Sequence, residues 1–177
     1  LTDELKNAIL NCSKLVEVED LYRPYKEKKK TKATEAIALG LEPLAKMIMS
    51  FPMNGNLEDL ASKFVKEDLP VEKCIEGAKY IIAEWISDNA SYRKYIRNNM
   101  INHGIIHTKK KKNGNDENGT YEMYYNYEEP ITHIKLHRVL AINRGEKEKI
   151  LNVSLEYAVE QIENYLQKKV IKNEKAT

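Results

Sequence analysis

Leu5, Ala8, Ile9, Cys12, Leu15 and Val16 recur at helical spacing, which predicts an amphipathic helix over residues 3–22. Pro24 disfavours helical backbone at Arg23 and ends or kinks that helix. Thr31 is a suitable cap for the next one, and Gly40 a suitable stop. Pro43 fits the first turn of a short helix through Met49. Phe51 to Gly55 reads as a loop, after which Asn56 caps a helix carrying Leu60, Ala61 and Phe64. Asp68-Leu69-Pro70 opens the clearest helix of the chain. Cys74, Ala78, Ile81, Ile82 and Trp85 share its face, and Tyr92, Tyr95 and Ile96 continue it after a joint near Asp88. Gly104 ends it.

The pattern weakens beyond that point. Lys109 to Gly119 is the most polar stretch and predicts an exposed loop. Tyr121, Tyr124, Tyr125 and Tyr127 fit either a helix face or an alternation, so segment 119–133 stays open. Ile134 to Arg144 predicts a helix closed by Gly145. Residues 150–155 fit a short strand or the start of a helix, and Tyr157 to Ile171 returns to helical spacing. The sum is an all-α or mainly α fold, a bundle of roughly eight to ten short helices with helix-turn-helix-like elements and at most one short strand pair.

Composition narrows the picture. A chain of 177 residues can bury one real core, so residues 1–177 read as one helical region with an internal boundary at the polar loop 108–119. Its start at Leu1, already inside a helical rhythm, suggests a piece of a larger protein. The net charge of +2 is close to neutral, so any basic footprint is local. Cys12 and Cys74 form no metal-binding or redox spacing and suit a reducing compartment. No apolar run approaches the ~20 residues of a membrane span, so the expectation is a cytoplasmic protein without membrane contact.

The charge is concentrated in one place. Residues 23–32 hold Arg23, Lys26, Lys28, Lys29, Lys30 and Lys32 against Glu27, six positive minus one negative, or +5. Lysines ahead of a helix N-terminus suit a phosphate backbone, and Tyr22 and Tyr25 are placed to stack on bases. The competing reading is a solvated connector between two packed helices. Lys109 to Lys112 form a second run, better read as a loop tip than as a binding site.

Other chemistry is sparse. His103/His107 and His133/His137 have the four-residue spacing of zinc ligands, but Gly104 interrupts the first pair and the second lacks a third ligand. No metal and no cofactor is therefore expected. The tyrosines at 121–127 read better as a half-buried wall than as a stacking platform. There is no phosphate-binding glycine loop and no nucleophile signature, so a non-enzymatic protein is expected.

The stretch "EDLYRPYKEKKKTKATEAIALGLEPLA" closely resembles the signature of the bacterial Tex family of transcription accessory proteins. The matches are Leu21, Tyr22, Pro24, Tyr25, Lys28 to Lys30, Thr31, Thr34 and Gly40 to Leu44. A second block, "YYNYEEPITHIKLHRVLAINRGEKEKIL", is similar to the family at Tyr124, Tyr127, Glu129, Pro130, His137, Arg138, Ala141, Arg144, Gly145 and Glu146. Lys135-Leu136 stand where family members often carry proline-serine. The resemblance implies a multidomain nucleic-acid-binding parent of which this chain is the N-terminal helical region, without the RNase H-like, helix-hairpin-helix and OB-fold modules. It implies a scaffold with accessory phosphate contacts from Arg23 to Lys32, and partners such as RNA, DNA, RNA polymerase or ribosome-associated factors. The alternative is a module that docks on transcription machinery without touching nucleic acid. Arg138, Arg144 and Glu146 read as an ion-pair set joining helices.

Overall fold

The computed structural model describes residues 2–53 and 55–172, which divide into two compact units. The first unit holds Leu1–Lys94 with Tyr165–Thr177, and the second Tyr95–Asn164. Polar segment 108–119 lies inside the second.

The first unit opens with α1 (Asp3–Leu10) and α2 (Leu15–Tyr22), two helices where periodicity alone predicts one. Thr2 caps α1, and the chain leaves the helix between Asn11 and Lys14 before resuming. A 3-10 turn at Arg23–Tyr25 carries Pro24 and ends the pair. α3 (Lys32–Ala38) starts in a reciprocal box: Thr31 Oγ1 accepts from the Thr34 amide at 3.1 Å, and Thr34 Oγ1 accepts from the Thr31 amide at 2.8 Å. Gly40, at φ +86°, closes it. α4 (Glu42–Met49) and α5 (Leu57–Ser62) follow, the latter capped by Asn56.

α6 (Val71–Asp88) is the axis of this unit, with α3, α4 and α5 packed on it. Leu41, Leu44, Ala45, Ala61, Cys74, Ala78 and Ile81 are buried there. Each fully buried leucine or isoleucine contributes about 1.5–3 kcal/mol. Gly77 lets α3 approach α6: a methyl group there would collide with Leu41 Cδ1 and stand 3.2 Å from Ala36 Cβ. Asn89 forms the joint to α7 (Ala90–His103), and Arg93 Nε donates to the buried Asp20 at 2.6 Å, tying α7 to α2.

The second unit contains a three-stranded antiparallel sheet of order β2-β1-β3: β1 (Ile105–Lys110), β2 (Asn126–Pro130) and β3 (Leu151–Glu156). The strand content thus exceeds the single pair expected, within a fold that is mainly α as predicted. α8 (Leu136–Lys147) covers one face of the sheet, and α9 (Val159–Val170) follows β3. Tyr121, Tyr124, Ile142, Ile150 and Leu151 are the buried core, with Ile106, Tyr127 and Val153 packed against it.

Two expectations change here. Lys109 and Lys110 lie in β1, not in a loop, because Thr108 is buried between two partner strands and donates to the Tyr124 carbonyl at 2.6 Å. Gly145 does not end α8. It sits inside the helix, buried where a methyl group would meet Leu151 Cδ1 at 2.7 Å and Tyr121 Cδ1 at 3.0 Å. The helix ends two residues later at Lys147, followed by Lys149 at φ +62° and the Ile150 amide donating back to the Gly145 carbonyl at 2.9 Å. Asp116 organises the polar loop, accepting from the amides of Thr120 and Tyr121 at 2.9 and 2.8 Å and from the Tyr125 hydroxyl at 2.9 Å.

Candidate nucleic-acid interface

The basic segment 23–32 runs from the 3-10 turn to the first turn of α3 and lies against α6 of the same unit. Its cations divide into two groups. Arg23 Nε donates to Asp88 Oδ1 at 2.9 Å. Lys28 bridges Asp88 and Glu84, the latter at 3.1 Å. Lys32 Nζ donates to the Tyr80 hydroxyl at 2.9 Å and stands 4.6 Å from the ring centroid. Thr31 Oγ1 adds a bond to Glu84 at 3.2 Å. Tyr80, Glu84 and Asp88 are spaced four apart, so one face of α6 receives the whole connector.

Burial works against the Lys28 charge, but the hydrogen bonds and charges of Asp88 and Glu84 more than offset it. Its ammonium therefore titrates above the ordinary lysine range. A cation held this way is part of the fold.

Lys26, Lys29 and Lys30 form the second group. Among the described residues Lys26 and Lys29 make no ion pair, and Lys30 makes only an exposed one with Glu35 at 3.1 Å. Tyr22 and Tyr25 beside them are 51% and 63% exposed. Connector and α6 enclose a groove of about 610 Å³, lined by five cations (Arg23, Lys26, Lys28, Lys29, Lys32) and three carboxylates (Glu27, Glu84, Asp88). It keeps a positive excess after internal pairing. The acidic partners on α6 escape sequence reading because nothing at positions 84 and 88 marks them off from other helical carboxylates.

The remaining candidates resolve differently. The tyrosines at 121–127 form a wall: Tyr121 donates to Glu148 at 2.9 Å, Tyr125 to Asp116, and Tyr127 to Glu129. Tyr124 and Tyr127 meet edge to face at 5.3 Å. Arg138 does not pair with Glu146. It donates to Glu129 at 2.8 Å and to the Tyr127 hydroxyl at 3.2 Å, joining α8 to strand β2 where a helix-to-helix link was expected. The reason is reach: β2, unseen in the sequence, brings Glu129 onto the face that α8 covers.

His103 ends α7 while His107 lies in β1. His133 is in the turn before α8 and His137 is exposed on it. Among the described residues no group of three or more His, Cys, Asp or Glu is placed to hold a metal ion. Among them, too, no helix is long and apolar enough to cross a membrane.

This is a mainly helical protein with a basic connector clamped on its central helix, and its relatives say which family that describes. The family described as Tex central region-like matches residues 54–176. The chain is 51% identical to the Bacillus subtilis protein YdcI, over 98% of this chain and 25% of YdcI. It is 32% identical to the transcriptional accessory protein Tex of Neisseria gonorrhoeae, over 89% of this chain and 21% of that protein. It is 30% identical to the human S1 RNA-binding domain-containing protein 1, over 88% of this chain and 16% of that protein. The chain belongs to the Tex family. It spans a quarter or less of the length of these relatives.

Proposed function

We propose that this chain is a non-catalytic scaffold within a nucleic-acid-binding transcription accessory protein, contributing accessory phosphate contacts from its basic connector. The observation that carries this reading is the division of the connector cations. Arg23, Lys28 and Lys32 fix the segment on α6, and Lys26, Lys29 and Lys30 remain on a rim shared with the exposed rings of Tyr22 and Tyr25. A clamped connector presents its remaining, solvent-facing lysines at a fixed spacing, which lowers the ordering cost of meeting a phosphate chain. The exposed tyrosines offer stacking surface next to that charge. Names of relatives that include transcription and RNA binding support the same class.

The test is fluorescence anisotropy of labelled single-stranded RNA and duplex DNA with this chain at low and near-physiological salt. Lys26→Glu, Lys29→Glu and Lys30→Glu together are expected to weaken binding and to flatten its salt dependence, each lost contact lowering the slope of log K by about 0.7–0.9. These three positions leave the clamp intact, so the variant keeps its fold. Unchanged binding and slope would favour the alternative, a surface that docks on protein components of the transcription machinery.

A further inference from the structure

The open face of the three-stranded sheet carries a row of residues absent from the reading above. Residues paired across an antiparallel ladder point to the same face. Lys109 in the central strand pairs with Asn126 on β2 and with Asn152 on β3, so the three side chains stand in one row across the sheet. All three are exposed. The opposite face of the same strands is the one buried against α8. Along the open face the next row is His107 between Glu128 and Ser154, with the imidazole 3.0 Å from Glu156 and 3.5 Å from Glu128. The two rows differ in kind. The carboxylates gather on His107, whereas Lys109 is flanked only by neutral amides and makes no ion pair among the described residues.

More charge meets Lys109 at its end of the sheet. The Lys111 amide donates to the Ile150 carbonyl at 2.8 Å, which brings Lys111 and Lys112 beside Lys149 across 38 positions of sequence. None of these lysines has an ion-pair partner among the described residues. A depression of about 290 Å³ spans the two rows, lined by His107 and Glu128 as well as Lys109 and Asn126.

We infer that this edge of the sheet is a second polynucleotide contact, in which Lys109, Lys111, Lys112 and Lys149 hold the phosphates of a single strand while Asn126 and Asn152 reach its base edges. The inference rests on the nucleic-acid reading of the chain and adds a surface on the other compact unit. Three features fit a single strand. Unpaired cations exchange condensed counterions for phosphate. Primary amides donate to and accept from exposed base edges. A flat face without a projecting helix or ribbon has nothing to insert into a duplex groove.

The test uses the full 177-residue chain with fluorescein-labelled U20 RNA in 25 mM salt, and four proteins: the parent, Lys109→Glu with Lys112→Glu, Asn126→Ala with Asn152→Ala, and the connector variant at positions 26, 29 and 30. Lys109→Glu with Lys112→Glu is expected to weaken binding at least about tenfold and to flatten the salt slope. Asn126→Ala with Asn152→Ala, which leaves charge unchanged, is expected to weaken binding severalfold at an unaltered slope. Circular dichroism checks the fold, and Lys109→Gln replaces the double variant if it unfolds. Parent-like binding by the sheet variants, with loss in the connector variant, overturns this inference and leaves the connector reading standing. A duplex competing as well as U20 overturns the single-strand assignment. No binding by the parent overturns both.

Discussion

Lys28 sits amid the densest positive charge in the chain, yet its ammonium faces two carboxylates of the central helix. Asp88 beneath it is buried and also takes Arg23. Removing Asp88 leaves Lys28 half-served and Arg23 unpaired. Asp88→Ala is expected to cost about 2 kcal/mol, against less than about 0.5 kcal/mol for Lys30→Ala at an exposed pair. Urea denaturation of both variants measures the difference, and equal costs would show that the clamp does not hold the connector.

Asp116 makes the complementary case for acid. Burial raises its carboxyl, but the Tyr121 amide, the Tyr125 hydroxyl and the Thr120 amide, with Lys110 nearby, together hold it below the ordinary aspartate range. A depressed folded pKa contributes stability that is complete above the unfolded value of about 3.9 and is lost as pH falls through the folded one. The parent is therefore expected to lose stability more steeply than Asp116→Asn below about pH 4. Thermal melts between pH 6 and 2.5 test this; parallel curves would remove Asp116 from the loop's support.

Elements in the first unit were legible because their ends carry chemistry. Thr31, Asn56, Gly40, Pro43 and Pro70 each mark a boundary that the structure keeps. The sheet was hidden for a physical reason. β1 alternates between a buried face and an open polar one, and its last residues are lysines, so the strand reads as the start of a charged loop. β2 reads as part of a tyrosine cluster because Tyr127 and Glu129 face α8 while Asn126 and Glu128 face water. Of the candidate interface, the charge was visible in the sequence; its neutralising partners on α6 were not, since they lie about sixty positions away.

Glycines divide along the same line. Gly104 was legible as a stop, and its reason is contact: a methyl group there would run into the Met100 carbonyl and stand 2.7 Å from Ile131 Cδ1. Gly104→Ala is expected to destabilise by about 1–3 kcal/mol. Lys149 shows the reverse, a lysine in left-handed backbone where glycine would fit. Lys149→Gly is expected to stabilise by roughly 0.5–1 kcal/mol. Chemical denaturation reads both; a stabilised Gly104→Ala protein would contradict the packing at the α7–β1 junction.

At the scale of the whole molecule, a net charge of +2 hides an uneven distribution. Part of the connector charge is spent inside the first unit, and the unpaired remainder lies on its rim. In the second unit the unpaired lysines collect at one end of the sheet. Near-neutral proteins attract polynucleotides only where such local excess exists, and the attraction falls steeply with salt. The chain belongs to the Tex family and spans a quarter or less of the length of the relatives named above.

The most direct test of nucleic-acid contact by these two surfaces is a two-dimensional amide NMR titration of the labelled 20.5 kDa chain with single-stranded RNA at low salt. Shifts are expected at Lys26, Lys29, Lys30 and their neighbours Tyr22 and Tyr25, and at Lys109, Lys111, Lys112, Asn126, Lys149 and Asn152, with Ala78 and Ile81 of the core unmoved. Spectra unchanged at saturating RNA, or shifts confined to faces outside both basic surfaces, would contradict it.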